Sequence, residues 1–438
     1  MNIIIAGAGK VGFNLAKTLC IGHSVTIIDK NSDALQRIQE NLDILPIKGN
    51  LEDPSTYESF LDTKIDLFIA VTNLDEANII SSLVAGDILD IDKKIIRLKN
   101  SFFAKSSIKD KLGVNEVVFP VELASSSVVK LLSFPKANNV KDFEYTNFKL
   151  ISFFISSSHN PFRLENSEKV QVIGVERDRE FFLYKNIKEI LPNDLVYIFG
   201  DEEEIKKICK EHEQNSPDEI KRCVVFGGDR LGVDIAKKLA EAKKEVKLVE
   251  KDLALCNRAT EELEGKVSVI NSKYGVTSLF EEEGLVFADM LISATKDDEY
   301  NIIKCIEAKE KGIKKVLAIN NQNEYYSLMH SLGIVVVRGP KISAYNTIVE
   351  KISLNWVVVE KYFCGGKGIT YKRKVFPNSP LIGKSLKELN LDDNITLIAR
   401  DEKIYSLKEL ECLEEEDLIF SFCKKSVAPK VKTWIYEL

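Results

Sequence analysis

Asn2-Ile3-Ile4-Ile5-Ala6-Gly7-Ala8-Gly9-Lys10-Val11-Gly12 opens this chain, and Arg222-Cys223-Val224-Val225-Phe226-Gly227-Gly228-Asp229-Arg230-Leu231-Gly232 restates it about half-way along. Each stretch is a short apolar run, a Gly-rich turn and the start of a helical pattern, which is how a parallel βαβ unit begins. The copies stay in step downstream. Gly7 and Gly227 are offset by 220 residues, Val25-Thr26-Ile27-Ile28-Asp29 and Val246-Lys247-Leu248-Val249-Glu250 by 221, and Ala70-Val71-Thr72 and Ser293-Ala294-Thr295 by 223. So slow a drift means loops gaining single residues, and the chain carries an internal duplication.

Between these landmarks apolar runs alternate with helical patterns. The runs cover 2–6, 25–29, 44–48, 65–72 and 93–98 in the first copy, and 222–226, 246–250, 267–271, 288–295 and 314–319 in the second. Strands apolar on both faces and separated by helices belong to parallel sheets covered on both sides. Val11, Leu15 and Leu19 match Leu231, Ile235 and Leu239, a spacing of four that puts each trio on one helix face. A further helical segment follows in each copy, from Pro120 to Leu132 and from Pro340 to Ile352. Beyond it come short β-type runs, such as Trp356-Val357-Val358-Val359, and turn clusters. These tails repeat too: Asn193-Asp194-Leu195-Val196-Tyr197-Ile198-Phe199 parallels Glu416-Asp417-Leu418-Ile419-Phe420-Ser421-Phe422. The expected fold is α/β, with two tandem Rossmann-like parallel-sheet lobes (1–134 and 221–353), each followed by a small α+β C-lobe (137–212 and 356–438). The polar stretch 213–218 reads as the linker.

With 438 residues the chain exceeds a single core. Its net charge of −6 lacks the concentrated basic surface of a nucleic-acid binder, so no nucleic-acid partner is expected. No apolar run approaches the roughly 20 residues that span a bilayer, and a strand beginning at residue 2 leaves no room for a signal peptide. Eight cysteines without a Cys-x-x-Cys read as buried thiols in a reducing cytosol, and four histidines without ligand spacing predict no metal site.

The chemistry lies in the first lobe. Gly7-Ala8-Gly9-Lys10-Val11-Gly12 is a G-x-G-x-x-G placed directly after a strand and opening a helix, the context that gives the motif meaning. Gly7 permits the tight turn, Gly9 lets the backbone approach a pyrophosphate, and Gly12 allows close helix–strand packing. The helix N-terminus favours the phosphates through its amides and dipole. Asp29, with Lys30 beside it, ends the second strand where a carboxylate accepts hydrogen bonds from ribose, so NAD(H) or an adenine nucleotide is preferred over a 2′-phosphorylated dinucleotide. Ligands of such sheets lie beyond the carboxyl ends of the strands. There the chain supplies Gly49-Asn50, Thr72-Asn73-Leu74-Asp75 and Arg97. Thr72 and Asn73 are expected to bond ribose or amide groups, and Arg97 a phosphate. Asp75 reads equally as a helix cap or a ligand contact, and Asn78 as a structural hydrogen bond or a contact.

These residues, together with Ala70-Val71-Thr72-Asn73-Leu74-Asp75-Glu76-Ala77-Asn78 and Ile96-Arg97, resemble the nucleotide-binding lobe of RCK (KTN) domains. Two such lobes, each with a small C-lobe, are similar to the TrkA-type peripheral subunits of bacterial Trk potassium uptake systems. The resemblance implies binding of NAD(H) or ATP/ADP and assembly, typically as a homotetramer, into a ring beneath an integral-membrane potassium channel or transporter subunit. Ligand-dependent movement of that ring would gate potassium flux. Gly7, Ala8, Gly9, Lys10, Val11, Asp29, Thr72, Asn73 and Arg97 match the family's binding positions. The family often has Gly-Asp where this chain has Gly49-Asn50, so Asn50 brings a neutral side chain to the base and ribose.

The second copy departs further. Asp229 stands where the middle glycine belongs, bulky and repulsive at the closest approach of a pyrophosphate. Asn271-Ser272 take the place of Gly49-Asn50, Ala318 that of Arg97, and Glu250 keeps the acid. This lobe reads as a scaffold with a weak or absent site, the alternative being a differently charged ligand helped by Arg230. Two rival classes are weighed against the regulator. An NAD-dependent oxidoreductase with a duplicated Rossmann lobe would need an acid/base pair, and His23, His159, His212 and His330 show no partner in the sequence. A transcription factor would need a basic recognition element, for which Lys372-Arg373-Lys374 is too short. The reading is a cytoplasmic, non-enzymatic regulator without catalytic residues, peripheral on the inner face of the membrane.

Overall fold

The computed structural model describes residues 1–100, 103, 107–143, 145–272, 278–352, 358–377, 379–383 and 394–437. The first lobe runs through β1 (Asn2–Ala6), α1 (Lys10–Leu19), β2 (Ser24–Asp29), α2 (Ser32–Asn41), β3 (Leu45–Lys48), β4 (Ile65–Ala70), α3 (Asp75–Ile88), β5 (Ile91–Arg97), α4 (Ile108–Lys111) and β6 (Glu116–Val118) into α5 (Pro120–Ser133). Its strands pair in parallel in the order β3-β2-β1-β4-β5-β6, the doubly wound order of dinucleotide-binding folds. Alternation along each strand divides the core in two. Ile3, Ile5, Val25, Ile27, Leu67, Ile69 and Ile95 pack on one face with Val11, Leu15 and Leu19 of α1. Ile4, Ala6, Ile28, Phe68, Ala70 and Ile96 pack on the other with Tyr57, Phe60 and Ala85.

The first C-lobe contains β7 (Asn139–Asp142), β8 (Lys149–Phe154), β9 (Val170–Arg177), β10 (Glu180–Leu183), β11 (Leu195–Gly200) and α6 (Glu202–His212). The strands form an antiparallel sheet in the order β10-β9-β11-β8-β7. The second Rossmann-like lobe follows as β12 (Arg222–Phe226), α7 (Arg230–Glu241), β13 (Glu245–Glu250), α8 (Leu253–Leu263), β14 (Ser268–Asn271), α9 (Leu279–Glu282), β15 (Met290–Ser293), α10 (Asp298–Glu310), β16 (Lys315–Asn320), α11 (Tyr326–Ser331), β17 (Val335–Arg338) and α12 (Pro340–Ile352). Its order, β14-β13-β12-β15-β16-β17, repeats the first. The second C-lobe has β18 (Val358–Phe363), β19 (Gly368–Lys374), β20 (Asn394–Arg400), β21 (Lys403–Ser406), β22 (Leu418–Lys424) and α13 (Ala428–Glu437), with sheet order β18-β19-β22-β20-β21. The fold is therefore α/β, two parallel-sheet Rossmann-like lobes each followed by an antiparallel C-lobe.

Compactness does not follow chain order. Met1–Ser125 and Arg338–Ile352 make one unit, Ser126–Val337 and Ser353–Leu438 the other. The expected segment 221–353 is thereby split, because α12 packs into the first unit. Ala344, Ile348 and Ile352, spaced by four on one helix face, join the core of Val11, Leu15 and Leu19. In the second unit the two C-lobe sheets share one aromatic core. Phe420 lies edge-on to Phe143 with ring centroids 5.1 Å apart and 4.6 Å from Phe199. The expected start of the second C-lobe at 356, with Trp356 and Val357, falls outside the described residues.

Candidate functional site

The first unit carries a cleft of about 380 Å³ at the carboxyl ends of β1 to β5. Ala8, Gly9, Lys10, Val11, Asp29, Lys30, Asn50, Thr72, Asn73 and Arg97 all line it. Gly7 and Gly12 lie beneath it and shape the turn. Gly7 has φ +112°, and a Cβ there would meet Thr72 N at 3.0 Å; a Cβ on Gly12 would stand 1.9 Å from Gly7 O. Only glycine fits either position. Gly9 is different: a Cβ would meet nothing within 4 Å, so nothing inside the chain requires glycine there. The helix that begins after it, α1, has no side-chain cap. Together these leave a cradle of the kind a pyrophosphate fills.

Asp29 anchors the opposite wall. Its Oδ2 accepts the Ala8 amide at 2.7 Å and its Oδ1 the Asn31 amide at 2.9 Å, which ties the end of β2 to the glycine turn. Each carboxylate oxygen keeps a further lone pair for a ribose hydroxyl. Asn31 in turn caps α2, accepting from Asp33 N and Ala34 N.

On the β4–β5 side the side chains hold one another. Asn78, fully buried, accepts the Thr72 amide at 2.8 Å and donates to Thr72 O at 3.1 Å and to Arg97 O at 2.7 Å. It splices the ends of β4 and β5, so its role is structural. The Thr72 hydroxyl is engaged with Asn78 Oδ1 and Leu74 O. Asp75 neither caps α3 nor lines the cleft; its carboxylate accepts the amides of Lys99 and Asn100, both at 2.8 Å. Arg97 is 5% exposed. Its Nη2 donates to Asn73 Oδ1 at 3.1 Å, while its Nε is buried without an acceptor among the described residues. Burial pushes this guanidinium's pKa down, and the Asp75 carboxylate opposes that. A buried N–H without an acceptor is costly, and here it belongs to a cleft-lining residue.

The sequence reading did not include Arg37, Glu52 and Lys341 among the lining residues. Arg37 lies on the helix that Asn31 caps, a signal present in the sequence. Lys341 stands at the start of α12, and no sequence pattern connects it to this lobe.

The second lobe keeps the framework and fills the cradle itself. Asp229 caps α7, its Oδ1 accepting Leu231 N at 3.1 Å and Gly232 N at 3.4 Å. Glu250, 5% exposed, accepts the amides of Gly228 at 2.5 Å, Lys251 at 2.7 Å and Asp252 at 2.9 Å. Asn301 repeats the Asn78 splice and donates to Ile319 O. That bond corrects the sequence alignment: Ile319, not Ala318, stands where Arg97 stands. Likewise Ser272 N bonds Glu250 O as Gly49 N bonds Asp29 O, so Ser272 is the counterpart of Gly49 and the counterpart of Asn50 falls on 273, outside the described residues.

His330 also acquires a partner. Its Nδ1 lies 3.8 Å from Glu176 Oε2, and Lys367 Nζ is 2.7 Å from Glu176 Oε1. Burial raises the Glu176 pKa, but His330, Cys364 and Lys367 outweigh it and hold the carboxyl below its ordinary value. This cluster belongs to the second unit and is absent from the cleft lining.

A parallel sheet in this order, with a glycine turn after its first strand and an acid ending its second, defines a Rossmann-type nucleotide-binding lobe. The chain belongs to the TrkA-N domain family, whose model matches residues 3–120 and again 223–340. It is 26% identical over 441 residues to the "Trk system potassium uptake protein TrkA homolog" of Archaeoglobus fulgidus, with 99% of each chain covered. Among solved structures it is similar to "GsuK channel bound to NAD" (TM-score 0.61, 15% identity, 100% of this chain and 79% of that one). It is also similar to "Crystal structure of the GsuK bound to ADP" (TM-score 0.51, 14% identity, 80% and 69%). Among the described residues, no helix is long and apolar enough to cross a membrane, and no group of His, Cys, Asp or Glu is arranged to hold a metal.

Proposed function

We propose that this chain is the cytoplasmic regulatory subunit of a potassium uptake system, non-enzymatic and peripheral on the inner membrane face. It binds NAD(H) or ATP/ADP in its first lobe and gates an integral-membrane channel or transporter subunit. The observation that carries this reading is the contrast between an open helix start at Gly9 and its filled counterpart at Asp229. The binding residues are Gly7, Ala8, Gly9, Lys10, Val11, Gly12, Asp29, Lys30, Asn50, Thr72, Asn73 and Arg97. Support for the potassium role comes from the TrkA relative, and support for the nucleotide from the NAD and ADP complexes of the similar channel.

Gating requires a homo-oligomer, in this reading a tetrameric ring, with two states of unequal nucleotide affinity. Titration calorimetry with NAD, NADH, ATP and ADP tests the proposal. One nucleotide per chain, without turnover of small alcohols or hydroxy acids, is the expected result. Two per chain, or cofactor turnover, overturns it.

A further inference from the structure

Resting on that nucleotide-binding reading, we propose that Lys341 of α12 recognises a terminal phosphate, so that the first-lobe cleft selects ADP and ATP over a dinucleotide.

The lining is electrically lopsided. Its two carboxylates, Asp29 at the end of β2 and Glu52 after β3, share the β2–β3 side with Lys30 and Arg37, which balance them. Across the glycine turn the lining charges are Arg97 and Lys341, with no carboxylate in the lining beside them; Asp75, whose charge supports the Arg97 guanidinium, lies outside the lining and accepts the amides of Lys99 and Asn100. The Arg97 Nε, buried and without an acceptor, points to an anionic ligand on this side independently of Lys341. Nicotinamide riboside, neutral or cationic at its base, has nothing to offer such a wall. A phosphate does.

Lys341 is held there by the packing of its helix. Ala344, Ile348 and Ile352 are locked into the core beside α1, and the Tyr345 hydroxyl is 2.7 Å from Thr18 Oγ1. At the far end Lys93 Nζ, near the start of β5, donates to Lys351 O at 2.6 Å. α12 therefore runs from the carboxyl ends of the strands, where the cleft lies, toward their amino ends. Its first turn is fixed at the rim. A cation in the first turn opposes the helix dipole, and Lys341 makes no ion pair among the described residues, so it adds nothing to the stability of the free protein. An anion between Lys341 and the α1 terminus would satisfy both. Because α12 comes from the second half of the chain, the same contact would report nucleotide occupancy to that half.

Calorimetric titration of the full chain and of Lys341→Ala with AMP, ADP, ATP and NADH tests this, with Lys341→Arg as the conservative variant. The exposed side chain makes its removal neutral for folding, which the melting temperature checks. In the wild-type chain ATP and ADP should bind more tightly than AMP and NADH. Lys341→Ala should weaken ATP about tenfold and leave AMP and NADH within twofold, and Lys341→Arg should restore ATP. Unchanged ATP affinity in Lys341→Ala, or an equal loss for all four nucleotides, overturns the proposal and leaves the nucleotide-binding reading intact. A wild-type chain that binds none of the four overturns both.

Discussion

Asp229 occupies, at the start of α7, the place that Gly9 leaves open at the start of α1. The carboxylate takes the amides of Leu231 and Gly232, and at Gly9 no side chain caps the matching helix start, where Gly9, Lys10 and Val11 line a cleft. A duplicated fold thus holds one lobe ready for an anion and one lobe already supplied with its own.

Gly9→Asp should therefore separate stability from binding. The residue has φ −71° and room for a Cβ, so the new carboxylate is accommodated and can cap α1, a gain on the order of a few tenths of a kcal/mol over glycine. Nucleotide affinity should fall roughly 100-fold, since the cap takes the phosphate's place. Thermal unfolding and calorimetry on one sample check both halves; a large loss of stability would contradict the geometry.

Asp29→Ala and Glu250→Ala should differ in their effect on nucleotide affinity, although each removes an acceptor from backbone amides. Losing one or two charge-assisted bonds to ribose, at about 1.5–3 kcal/mol each, weakens nucleotide binding roughly 10- to 100-fold or more for Asp29→Ala. Glu250→Ala leaves three amides in a buried site without their acceptor, a cost of about 3 kcal/mol or more, with affinity unchanged. Equal losses of affinity from both would refute a single competent site.

Lys315 should give the stability a pH slope. It is 2% exposed, its Nζ donates to the carbonyls of Pro135 and of Ala137, and burial pushes its pKa down to about 7, against the opposing charge of Glu213. The unfolded chain holds this proton up to about pH 10. Between about 7 and 10 the unfolded state binds more protons than the native state, so this group makes stability rise with pH. Denaturant midpoints of wild type and Lys315→Met, compared at pH 7, 8 and 9, should diverge in favour of the wild type as pH rises. Parallel curves would show that the lysine is not neutralised by folding.

Phe420→Ala should loosen both C-lobes together. The ring is fully buried between Phe143, Phe199 and Phe422 of two sheets, and such a truncation costs about 3–5 kcal/mol. Hydrogen exchange should speed up in β11 as well as in β22; an effect confined to β22 would mean two separate cores.

The lobes, their order and the unequal glycine turns were legible in the chain because they rest on local regularities. Short apolar runs, helices with spacing four, and a motif read directly after a strand do not depend on distant partners. The same regularities misplaced two counterparts by one residue, Ala318 for Ile319 and Asn271 for Ser272. Single-residue steps inside loops leave no mark on an apolar pattern, and the backbone bonds from Asn301 to Ile319 and from Ser272 to Glu250 place them. Asp75 was ambiguous for a related reason: a carboxylate beside a helix start can meet any nearby amide, and the fold brought it those of Lys99 and Asn100.

What the sequence determined by itself was the duplication, the doubly wound class and the erosion of the second turn, all properties of residues close together in the chain. Only the tertiary structure decided which unit α12 joins and that Lys341 borders the first cleft. The stripe of Ala344, Ile348 and Ile352 shows that the helix must bury a face, but burial of apolar area is non-directional. Which surface receives that face is settled by shape and by a few specific bonds, here Tyr345 with Thr18 and Lys93 with Lys351.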